Sequence, residues 1–217
     1  MRFAQERLGG GRGLGIDRNP SKVEKARAGG FEVVRGDLSS AAEFRGQVRF
    51  TILSHFLEHL PNLAIAEACL DTALGISSEF VYVQQPWFDA DDRLRLLGLK
   101  LYWSDCRVHL NHMTSDQFLQ ALRHLRDKHP FRQAILAGRT IISDSDAPEV
   151  HALQSPSDQE AHDPAKHPAK PPRIGFAFPV YRELVAVVTK VEIGDKELRR
   201  MLRRAVPLHS LPGNQGA

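Results

Sequence analysis

The stretch Gly15-Ile16-Asp17-Arg18-Asn19-Pro20 decides how this sequence folds. Leu14-Gly15-Ile16-Asp17 reads as a short buried parallel strand whose carboxyl end is an acid. Asn19-Pro20-Ser21 then opens a helix, with Asn19 placed to cap it and Pro20 at its first position, where a missing N–H costs nothing. That helix runs through Val23 and Ala26 and stops at Gly29-Gly30. A strand that passes directly into a helix is half of a βαβ unit, and such units build parallel sheets with both faces covered.

Working outward, the same pattern recurs. Upstream, Phe3-Ala4-Gln5-Glu6-Arg7-Leu8 reads as the last turns of a helix, with Phe3, Ala4 and Leu8 on one side, stopped by Gly9-Gly10-Gly11. Downstream, strands are expected over 31–34 and 50–54, a helix over 64–74, and a strand over 80–83 closed by Gln84-Gln85-Pro86. Residues 87–112 are irregular and rich in Trp, Tyr, Asp and His. A helix is expected from Met113-Thr114-Ser115-Asp116 to Leu125, with Thr114 or Ser115 as its cap. Strands follow over 134–142 and 181–191, and a short basic helix over 196–204. Residues 145–172, dense in Pro, Asp, His and Ser, read as a long mobile surface loop. The fold expected is α/β, a Rossmann-like and mostly parallel sheet with helices on both faces. Residues 1–192 would form one domain, and residues 193–217 a basic helix and a flexible tail.

Composition narrows the function classes. Of 217 residues, 42% are hydrophobic and 25% charged, as in ordinary globular proteins. No apolar run approaches the roughly 18 residues a membrane span needs, and the charged N-terminus has no signal-peptide core. Two cysteines, Cys69 and Cys106, form neither a disulfide framework nor a CxxC pair, which fits a reducing cytoplasm. The net charge of +3 is scattered apart from Arg199, Arg200, Arg203 and Arg204, which argues against nucleic acid as the partner.

Ligands of doubly wound sheets bind outside the carboxyl ends of the strands. Here those ends are Asp17, Asp37, Ser54-His55 and Gln84-Gln85-Pro86. An acid at one strand end can accept hydrogen bonds from both hydroxyls of a ribose, and an acid after the next can accept one from an adenine amino group. Two acids about 20 residues apart, each at a strand end, suit an adenosine-containing cofactor.

Gly15 to Pro20, then Val33-Val34-Arg35-Gly36-Asp37, then Leu57-Glu58-His59-Leu60-Pro61-Asn62, resemble three consecutive signatures of the class I S-adenosylmethionine-dependent methyltransferases. The resemblance covers roughly residues 1–145. It implies S-adenosylmethionine as cofactor, with Asp17 on its ribose, Asp37 and the adjoining Leu38 at its adenine, and Ser54 and His55 near its methionine end. It also implies an acceptor pocket after the strand that ends at Pro86, where Trp87, Phe88, Tyr102 and Trp103 would form a wall or pack in the core. A small-molecule acceptor is favoured. Where the acceptor carries a proton that must leave, His55 or His109 is the expected general base.

The sequence departs from that family in one respect. A glycine fingerprint belongs about 20 residues before the ribose acid, and position 17 leaves no room for it. Gly9 to Gly15 neither follows a strand nor opens a helix, so it reads as a turn rather than a cofactor loop. The expectation is an N-terminally truncated form of the fold, lacking its central first strand and carrying two exposed sheet edges. The alternative function is a truncated, catalytically inactive binding or scaffold protein. A nicotinamide oxidoreductase has no reason to carry the GD and LEHLP segments, and a sugar-nucleotide enzyme would show a Tyr-x-x-x-Lys pair. His109 and His112, near Asp105 and Cys106, have ligand-like spacing but no HExxH or CxxC beside them, so no metal is expected. His151, His162, His167 and His209 lie in loop-like sequence with no specific role expected.

Overall fold

The computed structural model describes residues 2–41 and 44–213. The decisive stretch folds as read: β1 is Leu14–Asp17 and α2 is Pro20–Ala28, after a short α1 at Arg2–Arg7. The Asn19 side chain accepts hydrogen bonds from the backbone N–H groups of Ser21 and Lys22, which satisfies two donors that helix geometry leaves orphaned. Strand β2, Glu32–Arg35, pairs parallel to β1.

The remaining elements build a five-stranded sheet. β3 (Val48–Ser54) leads through α3 (Leu63–Ile76) to β4 (Ser77–Pro86), which lies parallel to β3. The chain then forms α4 (Asp91–Leu96), β5 (Leu99–Leu101) and α5 (Ser115–Leu125). Next come β6 (Gln133–Ile141), β7 (Val150–Ala152), β8 (Tyr181–Thr189), α6 (Asp195–Leu202) and β9 (Val206–Pro212). The sheet order is β3-β4-β8-β6-β9, with β8 inserted antiparallel between β4 and β6. The fold is thus α/β with a mixed sheet, parallel in its amino-terminal part and antiparallel beyond β4.

Period-two alternation assigns the two faces. Val81 and Val83 of β4, with Leu184, Ala186 and Val188 of β8, pack with Leu70 and Ala73 of α3 and Phe118 and Leu122 of α5. Phe80 and Tyr82, with Val185 and Val187, face the other way onto Leu8 and onto Met201 and Leu202 of α6. Helices therefore cover both faces. Gly138 of β6 is required by packing: a Cβ there would stand 2.3 Å from Cδ2 of Tyr181.

Three expectations change. Residues 145–172 hold a strand, β7, which pairs antiparallel to β5 and buries Val150, His151 and Ala152; the Pro- and Asp-rich composition concealed this three-residue anchor. The expected flexible tail contributes β9, paired with β6 from Gln133↔Pro212 to Gly138↔Val206, while 214–217 lie outside the described residues. The irregular stretch 87–112 contains α4 and β5, too short to show a period. Of the residues expected on the apolar side of α1, Leu8 is fully buried, whereas the side chain of Phe3 lies outside the described residues.

β1 pairs only with β2, and β3 only with β4, so each has one edge without a strand partner among the described residues. Along these strands Leu14 is 60% exposed, and Ile16, Val34 and Val48 are 37–42% exposed.

Candidate functional site

A cleft of about 2510 Å³ opens along those two edges and over the carboxyl ends of β1 to β4. It brings together Asp17, Asp37, Leu38, Ser54 and His55 from the sequence reading. His109 is not in its lining, although the neighbouring Val108 is. Small-molecule sites usually measure roughly 300–1,000 Å³, so this cleft holds more room than a cofactor fills.

At the β1 end, Asp17 Oδ1 accepts the Asn19 N–H at 2.8 Å, which fixes the carboxylate at the mouth of α2. No hydrogen bond engages its Oδ2 among the described residues. Asp37, just past β2, pairs with Arg18 at 3.4 Å. Leu38 begins a single 3₁₀ turn and packs into the core beside Ala41 while its surface lines the cleft. Beneath them, burial pushes the Cys69 thiol pKa up, and the negative charge of Asp37 adds to the effect.

At the β3 end, Ser54 is the last strand residue, and His55 turns out of the strand with φ at 48°. That left-handed backbone is uncommon for a residue with a Cβ. Its N–H still reaches the Gln84 carbonyl at 2.8 Å, so the sheet ladder sets the turn. The ring sits between two carboxylates: Nε2 is 3.4 Å from Glu183, and Nδ1 is 3.3 Å from Glu58. Hydrogen bonding to Glu183 and then to Glu58 outweighs partial burial and raises the His55 pKa to about 9. The two carboxylates favour the protonated ring in the residue expected as a general base, while the Gln84 amide Nε2 stands 3.2 Å from its Nε2.

The Glu183 site belongs to a network the sequence reading missed. Burial works to raise the Glu183 pKa, but His55, Arg139 and Gln84 together bring it below the ordinary carboxylate value. Gln84 donates to Glu183 at 2.7 Å, and Arg139 donates to Gln84 at 3.2 Å and to the Tyr82 hydroxyl at 2.9 Å. Arg139 within β6, and Arg182-Glu183 just before the apolar run of β8, were the available signal.

Beyond His55 the chain makes a 3₁₀ turn, Leu57–His59, which buries Glu58 and leaves His59 exposed at the cleft. Buried Asn111 clamps this turn from the other side: its N–H reaches the Glu58 carbonyl, and its Nδ2 the Leu57 carbonyl, both at 3.1 Å. The clamp brings His109 against His59, with ring centroids 5.0 Å apart. Burial lowers the His109 pKa, leaving it neutral. His112 turns away from this pair; its ring stacks on Phe88 and its Nδ1 lies 3.4 Å from Asp91.

The aromatic residues expected at an acceptor wall belong mostly to the core. Trp87, Phe88 and Trp103 are buried, and Trp103 Nε1 donates to the Trp87 carbonyl at 2.8 Å. Tyr102 packs instead toward His151, which with His162 and His167 forms a ring cluster with centroids 4.8–5.9 Å apart. His151 is fully buried among these rings, a packing role that loop-like sequence did not suggest.

No family model matches the chain, and no curated protein matches its sequence. Solved structures do share its architecture. An S-adenosylmethionine-dependent methyltransferase from Archaeoglobus fulgidus matches with a TM-score of 0.52 at 13% identity, over 82% of this chain and 75% of that one. Another from Thermotoga maritima, described as a possible histamine N-methyltransferase, matches with a TM-score of 0.51 at 13% identity, over 82% and 72%. At such identity the likeness concerns the fold alone, which this chain shares with those solved methyltransferases. Among the described residues, no helix is long and apolar enough to cross a membrane.

Proposed function

We propose that this chain is a methyltransferase that takes S-adenosylmethionine in the cleft over β1 to β4 and passes its methyl group to a small molecule. The observation that carries this reading is the convergence of Asp17, Asp37 and Ser54-His55 on one cleft in a methyltransferase fold. Asp17 Oδ2, which no hydrogen bond engages among the described residues, would accept from the ribose hydroxyls. Asp37 and Leu38 would hold the adenine, one by a hydrogen bond and the other by apolar contact. Ser54 and His55 would lie at the methionine end. The bound sulfonium supplies an electrophilic methyl, so the chain's task is chiefly to align the two reactants. His55 would stand there between Glu58 and Glu183, and His109 would act from behind the cleft wall, beside His59.

The adenosine half thus finds its partners, but the methionine end lacks a strand-to-helix glycine turn among the described residues. Gly9 to Gly13 connects α1 to β1 and aims no helix N-terminus at the cleft. We read the excess volume and the two open edges as the seat of one further parallel strand, with its glycine turn, between β1 and β3. A binding or scaffold role without catalysis is the second reading, and the same open slot favours it.

The test is calorimetric titration with S-adenosylhomocysteine of this chain beside a form extended by any upstream coding sequence. The extended form should bind at least tenfold to a hundredfold more tightly, since several hydrogen bonds of roughly 0.5–1.5 kcal/mol each are gained. Equal affinities would overturn the missing strand and make Gly9–Gly15 the cofactor loop. In whichever form binds, Asp17→Ala should weaken binding tenfold or more; unchanged affinity would place the ribose elsewhere. Tight binding with no methyl transfer to any acceptor tried would favour the scaffold reading.

A further inference from the structure

Glu58 is an anomaly in a folded interior. Its side chain is 1% exposed, neither carboxylate oxygen accepts a hydrogen bond of good geometry, and only Oε1 has an ion-pair partner, His55 at 3.3 Å. Burying a carboxylate this way is costly unless something compensates. Besides His55, two further imidazoles, His59 and His109, stand close to this carboxylate. His59 Nδ1 lies 3.0 Å from the Val108 carbonyl and His109 Nδ1 lies 2.8 Å from the Trp103 carbonyl. A ring whose Nδ1–H donates to a carbonyl keeps its Nε2 lone pair, the form in which histidine binds metals, and such carbonyls orient the ring. One oxygen of Glu58 and one ring nitrogen of each histidine lie within 4.8 Å of one another.

We propose that Glu58, His59 and His109 form a binding site for a divalent transition-metal ion at the acceptor end of the cleft. Donors about 2.1 Å from a common ion in tetrahedral geometry sit ~3.4 Å apart, so the widest pair closes by about 1.4 Å at most when the ion binds. Two imidazoles and one carboxylate favour zinc or iron(II) over magnesium, calcium or manganese, which take mainly oxygen ligands. The Asn111 clamp holds the Glu58 turn against the His109 segment, so the three donors are organised before the ion arrives. With three protein ligands and an exposed His59 on the cleft side, the remaining coordination positions stay open. This replaces the expectation of no metal, and it differs from the His109–His112 pairing because His112 is turned onto Phe88 and Asp91. Resting on the methyltransferase reading, the open positions would take an oxygen of the acceptor, and His109 would act through the ion rather than as a free base.

The site can be tested without cofactor or acceptor, so its failure leaves the methyltransferase reading untouched, and the reverse also holds. Metal-stripped protein titrated with zinc chloride should bind one equivalent with micromolar or tighter affinity. His59→Ala, at an exposed position that does not threaten folding, and Glu58→Gln should each weaken binding at least a hundredfold. A His162→Ala/His167→Ala double variant should leave this site unchanged. Zinc should raise the melting temperature of the unmodified chain and not that of Glu58→Gln, which without metal should melt no lower than the parent. Absence of stoichiometric binding would overturn the proposal, as would binding lost only with His162 and His167. So would a Glu58→Gln variant that melts lower but binds zinc as before.

Discussion

Strands β1 and β8 are both aliphatic, and they end in opposite circumstances. Every residue of β8 from Leu184 to Thr189 is buried, with strands hydrogen-bonded on both sides and helices on both faces. In β1 no residue is fully buried, one edge is unpaired, and Leu14 and Ile16 face solvent. The difference shows what an apolar strand needs beyond its own sequence: two neighbours and a cover. The β1-α2-β2 unit has caps, turns and a parallel pair, so its local structure is complete. Its tertiary support is not.

The largest effect that would sharpen this contrast lies in the supported half. Phe118 of α5 is fully buried, and Phe118→Ala should cost about 3–5 kcal/mol in chemical denaturation. A loss under 1 kcal/mol would mean the core is looser than its packing indicates. The next effect is a pH dependence at β7. Burial is the main cause, and the charges of His167, His162 and Lys170 add to it, of a His151 pKa lowered to about 4. An unfolded histidine takes a proton near 6.5 while this one does not, so the unfolded state gains protons first. Its contribution is therefore complete above about pH 6.5 and is lost as pH falls toward 4, by at most ~3 kcal/mol. Melting of His151→Leu should show a shallower decline across that window; an identical slope would sink the assignment.

Hydrogen exchange compares the two halves directly. Amides of β8 should open only with global unfolding, and those of β1 and β2 through a local opening at least about 2 kcal/mol cheaper. Equal protection would show that the amino-terminal unit is held by contacts not apparent in its exposed strands. The smallest effect is at Leu14, where Leu14→Ala should change stability by about 0.5 kcal/mol or less. In a form whose slot is filled, the same change should cost roughly 2 kcal/mol or more.

What was legible in the sequence follows the same division. Asn19-Pro20, Gly29-Gly30 and the Asp17 strand end are local signals, and they located β1, α2 and the candidate ribose acid. The Thr114 cap was also local, and Thr114 with Gln117 forms a complete capping box. The antiparallel insertion of β8, the pairing of β5 with β7 and the return of β9 are set by contacts between distant segments. No periodicity within three to seven residues reveals them. Site residues divide likewise: Asp17, Asp37 and Ser54 stand at strand ends, whereas Arg139 and Glu183 enter the site only because β6 and β8 fold back against β4. Glu58 and His59 were read inside a motif, but their meeting with His109 depends on Asn111, a contact across more than fifty positions.

The central place of β8 also governs when the molecule can fold. Gln84 meets Glu183 across 99 positions of chain, so the middle of the sheet stays open during synthesis until Tyr181–Thr189 has left the ribosome. Until then β4 presents an unpaired edge, and its Phe80 and Tyr82 face waits for Met201 and Leu202 of α6, the condition in which nascent chains associate with one another. Closing so long a loop before its contacts reward it also slows the search. Refolding of this chain should accordingly be slow for its size and sensitive to protein concentration, with recovery falling as concentration rises.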